Sequence, residues 1–418
     1  MRAATERRVG PRRAKTTFYF LALTSGVFYA LSVACDVLIS KGLQNPIAFA
    51  LSEQWVSFLF TGITVLALSL PTNRARKRSI GSALDASFNH VTLPPRRIAR
   101  DIGLAGLFGG ISTFAYYFIT SSSGDVSAVI PFSRFSLIFL MIGDLLLIRD
   151  RPTIIEVQSI LAIMFGVILI GSSGGFFDPT MLLIVIFVWG GGTAISIFFQ
   201  SRAKRTEIKP HLTIDSLNLR VWQLLTLNTT MSVMMIPFIT PSVLDSLFSG
   251  FIISIPWLLL TVIFTFFSLI TYLQALGRGK MSVVQGVTSV AVVLGLPINL
   301  VGSIILPGIF ISPATDALTW LVKIIGTVFV IAGIIALSLS EMKGYVLVRV
   351  SPAAGDILPL LRKIQGVTRA SAVAGKWDFL VRVDIRSLGS ALEKTIERME
   401  DIPGVEEVET VLILKEWI

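Results

Sequence analysis

Four charged side chains, Asp36, Glu53, Arg134 and Lys323, stand inside long apolar runs of this 418-residue chain. A charge at the centre of a membrane helix costs about 2.5–3.5 kcal/mol on insertion scales, so each one calls for a partner or for water. With about 1.5 Å of rise per residue, all four fall roughly 6–12 Å below the outer ends of their runs. Two acids and two bases at one depth can neutralise one another. Arg134 is the deepest and keeps its proton, which suits it to hold an anionic group such as a carboxylate, with Glu53 as its partner or as a proton-titrating gate. The alternative is an Arg134–Glu53 ion pair that only fixes helix packing. Asp36 and Lys323 lie near enough to the interface to snorkel, and for Lys323 that reading is preferred.

Uncharged polar residues form a second tier. Gln54, Trp55, Tyr117, Tyr272, Gln274 and Gln285 sit inside the runs, where their donors and rings can line a wet cavity. Trp257 and Trp320 read as interfacial anchors. Gly190, Gly191 and Gly192 permit close helix approach or a local break, with close packing preferred. Asp144 and Glu156 lie beside Arg149 and Arg151, where interfacial salt bridges account for them. No catalytic constellation is visible: Cys35 is the single cysteine, and His90 and His211 form no pair at metal-ligand spacing. The chain is therefore expected to be no enzyme, and to need neither metal nor cofactor.

The elements that must position these residues follow from composition. With 53% hydrophobic and 15% charged residues, a soluble globule would have too little polar surface, so the apolar mass must face lipid. Runs near Thr17–Ser40, Ile47–Leu70, Ala99–Ser122, Val126–Ile148, Thr153–Ile170, Thr180–Gln200, Leu217–Ile239, Phe251–Leu276, Met281–Ile305 and Ala317–Ser340 predict ten transmembrane helices. The basic N-terminus, residues 1–16, precedes a first run that reads as a retained helix and not a cleaved signal. Lys and Arg cluster in alternate gaps, among them Arg74, Arg76, Lys77, Arg96, Arg202, Lys204, Arg278 and Lys280. About twenty-two fall on the inner side and about two, Lys41 and Lys323, on the outer, which predicts a multi-pass protein of the plasma membrane with both termini cytoplasmic.

The runs divide into two related halves, 17–173 and 174–340. Tyr117–Val129 reads YFITSSSGDVSAV and Tyr272–Val284 reads YLQALGRGKMSVV, so tyrosine, glycine, serine and valine recur at one offset. Ala30-Leu-Ser-Val33 with Pro46 likewise corresponds to Ala194-Ile-Ser-Ile197 with Pro210. Five helices is an odd number, so the second copy must enter the membrane inverted. Asp125 in one copy's connection and Arg278 with Lys280 in the other obey that inversion.

The stretch Ser121–Ser173, with Gly124, Pro131, Arg149 beside Asp150, and Gly166 with Gly171, resembles the fourth and fifth helices of the drug/metabolite transporter superfamily, the EamA-like exporters. It departs in placing the acidic residue at Asp150 and in having Gly286 where the first half has Pro131. The resemblance spans about residues 17–340 and implies a ten-helix bundle, a 5+5 inverted repeat, enclosing a central cavity.

After Glu341 the apolar runs shorten to strand length. Tyr345–Val350, Thr368–Val373, Phe379–Ile385 and Val408–Leu414 read as strands, and Asp356–Ile364 and Leu388–Met399 as amphipathic helices. The order βαββαβ predicts an α+β ferredoxin-like domain over 344–418. Ile364–Val383, IQGVTRASAVAGKWDFLVRV, and Ile402–Leu414, IPGVEEVETVLIL, resemble the ligand-binding domain of the Lrp/AsnC amino-acid-responsive regulators, with Trp377 where a tyrosine is typical. The resemblance implies pairing between subunits as a homodimer and an effector site at the turn holding Gly375 and Asp378, or else a dimerising module without ligand. It does not extend to a DNA-reading helix-turn-helix, so nucleic acid is not an expected partner.

Together these readings predict a secondary transporter for amino acids or similar small metabolites, an exporter by resemblance, with a cytoplasmic amino-acid-sensing domain. No nucleotide motif is visible, so a gradient would drive it. The rival expectations are a membrane receptor that binds without moving its ligand, and a passive scaffold.

Overall fold

The structure, a computed structural model, describes the chain apart from residues 1–10, 44, 74–77, 123–125, 148–153, 173–182, 210–211, 308–309, 311–315, 340–342, 352–356, 365–366, 385–395 and 413–418. Gly124, Asp125, Arg149, Asp150, Arg151 and His211 lie outside the described residues, as does most of the predicted helix Leu388–Met399. The chain divides into two compact units, one of residues 15–151 and 160–334, the other of 1–14, 152–159 and 335–418.

The first unit is helical, and its first, sixth and last helices run a few residues past its bounds. Its elements are α1 (Pro11–Leu43), α2 (Pro46–Leu68), α3 (Arg96–Ser122), α4 (Val126–Phe132), α5 (Ser136–Leu147), α6 (Ile154–Ser172), α7 (Ile184–Arg205), α8 (Ser216–Met235), α9 (Pro241–Leu276), α10 (Met281–Val287), α11 (Val290–Ile305) and α12 (Ala317–Leu339). Among the described residues, eight stretches are long and apolar enough to cross a bilayer, with α10 and α11 counting as one, and the chain is a multi-pass membrane protein. The predicted run Val126–Ile148 is missing from the eight because it is broken. Pro131 supplies no amide hydrogen to the ladder, and the chain passes through a 3-10 turn at Ser133–Phe135 before α5 begins. The predicted run Leu217–Ile239 folds as α8, whose Asn218, Arg220, Gln223 and Asn228 are all buried.

Local sequence sets the ends of these helices. Asn45 caps α2, its Oδ1 accepting from the amides of Ile47 and Ala48 at 2.9 and 3.2 Å, with Pro46 in the first turn. Asp215 caps α8 by accepting from the Asn218 amide at 2.7 Å. The first eight residues of α7, Ile184–Gly191, are π-wound, and a Cβ on Gly192 would lie 3.0 Å from Ser112 Cβ. Of the two readings offered for the glycine triplet, the close approach is the one seen, and the helix runs on past its π-wound part without a break.

Packing pairs the helices in a regular way. α3 lies on α7 and α8, and α9 lies on α1 and α2. α4 lies on α11. α6 and α12 touch backbone to backbone: a Cβ on Gly166 would collide with the carbonyl oxygen of Gly326, and the reverse holds as well. Beyond the helix ends, the Asp85 carboxylate accepts from the Ser216 amide at 2.8 Å and pairs with Lys204 at 3.6 Å. Burial alone would raise that carboxyl, but Lys204 and the hydrogen bonds from Ser87 and Ser216 outweigh it and hold it down at about 2.

The second unit carries a four-stranded antiparallel sheet of β1 (Lys343–Val350), β2 (Val367–Ala372), β3 (Phe379–Asp384) and β4 (Val405–Leu412) in the order β2-β3-β1-β4. The helix α13 (Leu358–Lys363) precedes β2, and residues 396–400 are helical before β4. β4 begins three residues earlier than the apolar pattern predicts. Alternation puts Val346, Val348, Val381 and Val383 into a core with Ile357, Leu361, Ala370, Met399 and Ile402. Tyr345, Leu347 and Leu380 fall on the opposite face and are only partly buried.

Candidate functional site

The helical unit encloses a cavity of about 240 Å³. It is lined by Asp36, Glu53, Gln54, Tyr117, Arg134, Tyr272 and Gln285, so seven candidate residues from six separate apolar runs meet around one void. Tyr29, Tyr116, Trp189, Arg220 and Thr288 line it as well.

Arg134 is placed by the broken helix. The 3-10 turn carries its side chain inward, where Nη1 donates to Thr288 Oγ1 at 2.9 Å and the guanidinium sits 5.2 Å from the centre of the Tyr29 ring. Thr288 in turn donates to the Gln285 carbonyl at 2.9 Å. Its position is the turn between α10 and α11, so the interruption of one helix bonds the interruption of the other. Tyr272 OH donates to Gln285 Oε1 at 3.0 Å, and Gln285 Nε2 donates to Ser136 Oγ at 3.2 Å. Three elements are thereby fixed around the guanidinium.

The acids occupy another wall. Asp36 accepts from Thr261 Oγ1 at 2.6 Å and from the Tyr116 hydroxyl. Gln54 Nε2 donates to Tyr117 OH at 2.6 Å, and Asn228 Nδ2 donates to the Gln54 carbonyl at 2.8 Å. Glu53 is 4% exposed, and its Oε2 has no hydrogen-bond partner among the described residues. The Nε of Arg134 is likewise unpartnered. The Arg134–Glu53 ion pair weighed from the sequence is not formed, because Arg134 turns to Thr288 and Tyr29 on the far side of the break.

The other polar residues singled out in the sequence lie away from the cavity lining. Lys323 is absent from the cavity lining: it donates to Ser127 Oγ at 2.9 Å and lines a separate void of about 10 Å³ with Asn299 and Trp320. Equal depth does not mean a shared azimuth. Trp55 points away, donating to Ser232 Oγ at 3.1 Å at an exposed position. Gln274 donates to the Leu84 carbonyl at 2.6 Å and so ties a connection down. Asp144 accepts the amides of Met281 and Ser282, each at 2.8 Å, which makes it a cap for α10.

Arg220 lines the cavity and is not among the charged residues singled out in the sequence. A charge inside the predicted run Leu217–Ile239 was the available signal, but its place near the start of that run matched an interfacial position.

In the second unit, Gly375 has φ +145, in the region that favours glycine. Asp378 donates its amide to the Val348 carbonyl at 3.1 Å, and its Oδ2 accepts from the Val350 amide at 2.8 Å. The turn is thus fastened to the end of β1, and Asp378 has a structural task whatever else it binds. Lys376 Nζ lies 5.3 Å from the Trp377 ring centre.

Comparison with known proteins agrees with this division. Residues 344–418 match the Lrp/AsnC ligand binding domain family. A solved crystal structure, titled only as that of a protein, is similar over 78% of this chain and 98% of its own, at 14% identity and a TM-score of 0.50. That share far exceeds the C-terminal domain, so most of it falls in the helical part, and the likeness concerns the fold. No curated protein matches.

Proposed function

We propose that this protein is a secondary transporter of amino acids or related small metabolites, an exporter in the plasma membrane with both termini cytoplasmic. Its C-terminal Lrp/AsnC ligand-binding domain senses an amino acid and pairs two subunits. The observation that carries the reading is the cavity, which gathers Asp36, Glu53, Arg134 and Arg220 at membrane depth, where charge is tolerated only in partnership with water or a solute. Its volume is below the roughly 300–1,000 Å³ of clefts for drug-sized ligands, which suits a small metabolite.

All ten predicted runs cross the bilayer in this reading, as two inverted five-helix copies. The packing supports it: exchanging the copies turns the α3 contacts with α7 and α8 into the α9 contacts with α1 and α2, and returns α6 with α12 to itself. The offset that carries Tyr117 onto Tyr272 also carries Ser133 onto Thr288, so both helix interruptions fall at equivalent positions. Broken helices facing each other near the midplane are how transporters expose backbone and polar groups to a solute. Rocking of the copies about that point gives alternating access, and a sensor ligand shifts the equilibrium by its different affinity for the two states. No covalent chemistry is assigned to the chain.

The test is counterflow in proteoliposomes containing the full chain, loaded with unlabelled amino acids and offered labelled ones outside. Exchange is expected. Saturable binding without exchange would identify a receptor, and transport that ignores amino acids added on the C-terminal domain's side would remove the sensor role.

A further inference from the structure

Arg220, on α8, is 5% exposed, lines the cavity, and makes no hydrogen bond or ion pair among the described residues. Its Nε is fully buried. A guanidinium carries five donors and does not shed its charge, so leaving it bare in a low-dielectric interior is among the more costly arrangements a membrane protein can hold. Two other buried ions are held by the protein: Asp36 has two hydroxyls, and Arg134 has Thr288 and an aromatic face. Arg220 lines the void without such a hydrogen bond.

Once those satisfied contacts are set aside, four atoms around the cavity remain unpartnered among the described residues: the Oε2 of Glu53, the Oε1 of Gln54, the Nε of Arg134 and the Nε of Arg220. Their complement is a molecule with one cationic group, whose several donors serve the Glu53 and Gln54 acceptors, and two anionic acceptors, since guanidinium and carboxylate match as paired N–H and O groups. We propose that Arg220 is a second anion anchor and that the solute is an acidic amino acid, whose ammonium meets Glu53 while its two carboxylates meet Arg134 and Arg220. The proposal rests on the transport reading above and narrows its substrate class. A neutral amino acid would leave the Arg220 Nε unpartnered, and a plain dicarboxylate would leave the Glu53 Oε2 unpartnered.

Three probes separate these cases by one group each: L-glutamate, L-glutamine, which lacks the second charge, and glutarate, which lacks the ammonium. Calorimetric titration of the purified full chain is expected to show glutamate bound about tenfold or more tightly than either analogue, because a site built for a charged group rejects the molecule without it. Arg220→Gln should erase the preference for glutamate over glutamine while glutamine binding stays within about twofold, and Arg220→Lys should keep a reduced preference as a point charge. These variants leave residues 344–418 untouched, so a changed preference places the binding in the cavity and not in the sensor domain. Glutamine bound as well as glutamate, a preference that survives Arg220→Gln, or no binding of any probe overturns the proposal. If Arg220→Gln does not fold, the wild-type series and Arg220→Lys decide. Counterflow separates the two readings: preferential binding without exchange sinks transport alone, and exchange without preference sinks the acidic-solute assignment alone.

Discussion

In the helical unit Asp36, Glu53, Arg134 and Arg220 are all buried around a void, while aliphatic side chains such as Leu59, Ile63 and Ile253 are exposed. In the C-terminal unit the arrangement is reversed, with Val346, Leu361, Val381 and Met399 in a closed core and Asp378 and Arg349 at the surface. Both units bury apolar side chains, but the helical one also turns many outward and holds charges inside, because one unit has lipid for its outer solvent and the other has water. A buried charge is therefore informative in the first unit, and a surface charge says little in the second.

The sharpest way to break that contrast is to remove a cavity charge. Arg134→Gln is expected to weaken solute binding by about 2–5 kcal/mol, the range for truncating one partner of a buried charge pair, read as the rise in half-saturation of counterflow. Protease resistance of the C-terminal unit should not change. Leu361→Ala is the converse. It should destabilise the C-terminal core by about 2–5 kcal/mol, seen as cleavage within residues 344–418 at lower temperature, with the helical unit's melting in detergent unaltered. Gly166→Val should cost at least about 1–3 kcal/mol by overpacking, and it should lower the melting temperature of the helical unit alone.

A pH titration sharpens the comparison at the water-facing end of the helices. Asp85 is held below its ordinary value, so its contribution is complete above about pH 4 and is lost as pH falls toward 2. The wild-type chain should lose about 1–2 kcal/mol over that interval, whereas Asp85→Asn should start lower and show a flatter acid limb in thermal unfolding. The smallest effect is expected from Asp378→Ala, which removes one bond to the Val350 amide and should cost about 1 kcal/mol of sheet stability, measured by hydrogen exchange of the β1 amides.

The sequence was legible wherever a one-dimensional signal has a one-dimensional cause. Apolar run length placed the helices, and strand-period alternation placed β1 and β3, because burial on a helix or sheet face repeats with the backbone. Shared depth along their helices pointed to Arg134, Glu53 and Asp36, which line one cavity. Angle around the axis was not legible: Lys323 shares their depth and faces elsewhere, and Trp55 and Gln274 turn outward while their neighbours turn in. Asp144 was also beyond reach, since its partners, the amides of Met281 and Ser282, lie in the other half of the chain. Arg220 shows the remaining gap, because position near a run's end cannot distinguish a side chain that reaches headgroups from one that a neighbouring helix has walled in.

The glycine contact between α6 and α12 limits what any rearrangement can do. With Gly166 and Gly326 pressed carbonyl to α-carbon, there is no layer of side chains to act as a cushion. A slide of one residue would drive Leu169 or Val330 into the opposing main chain. In the proposed transport cycle the two helices would therefore travel as one welded strut, and the opening for a solute would form along some other seam of the bundle.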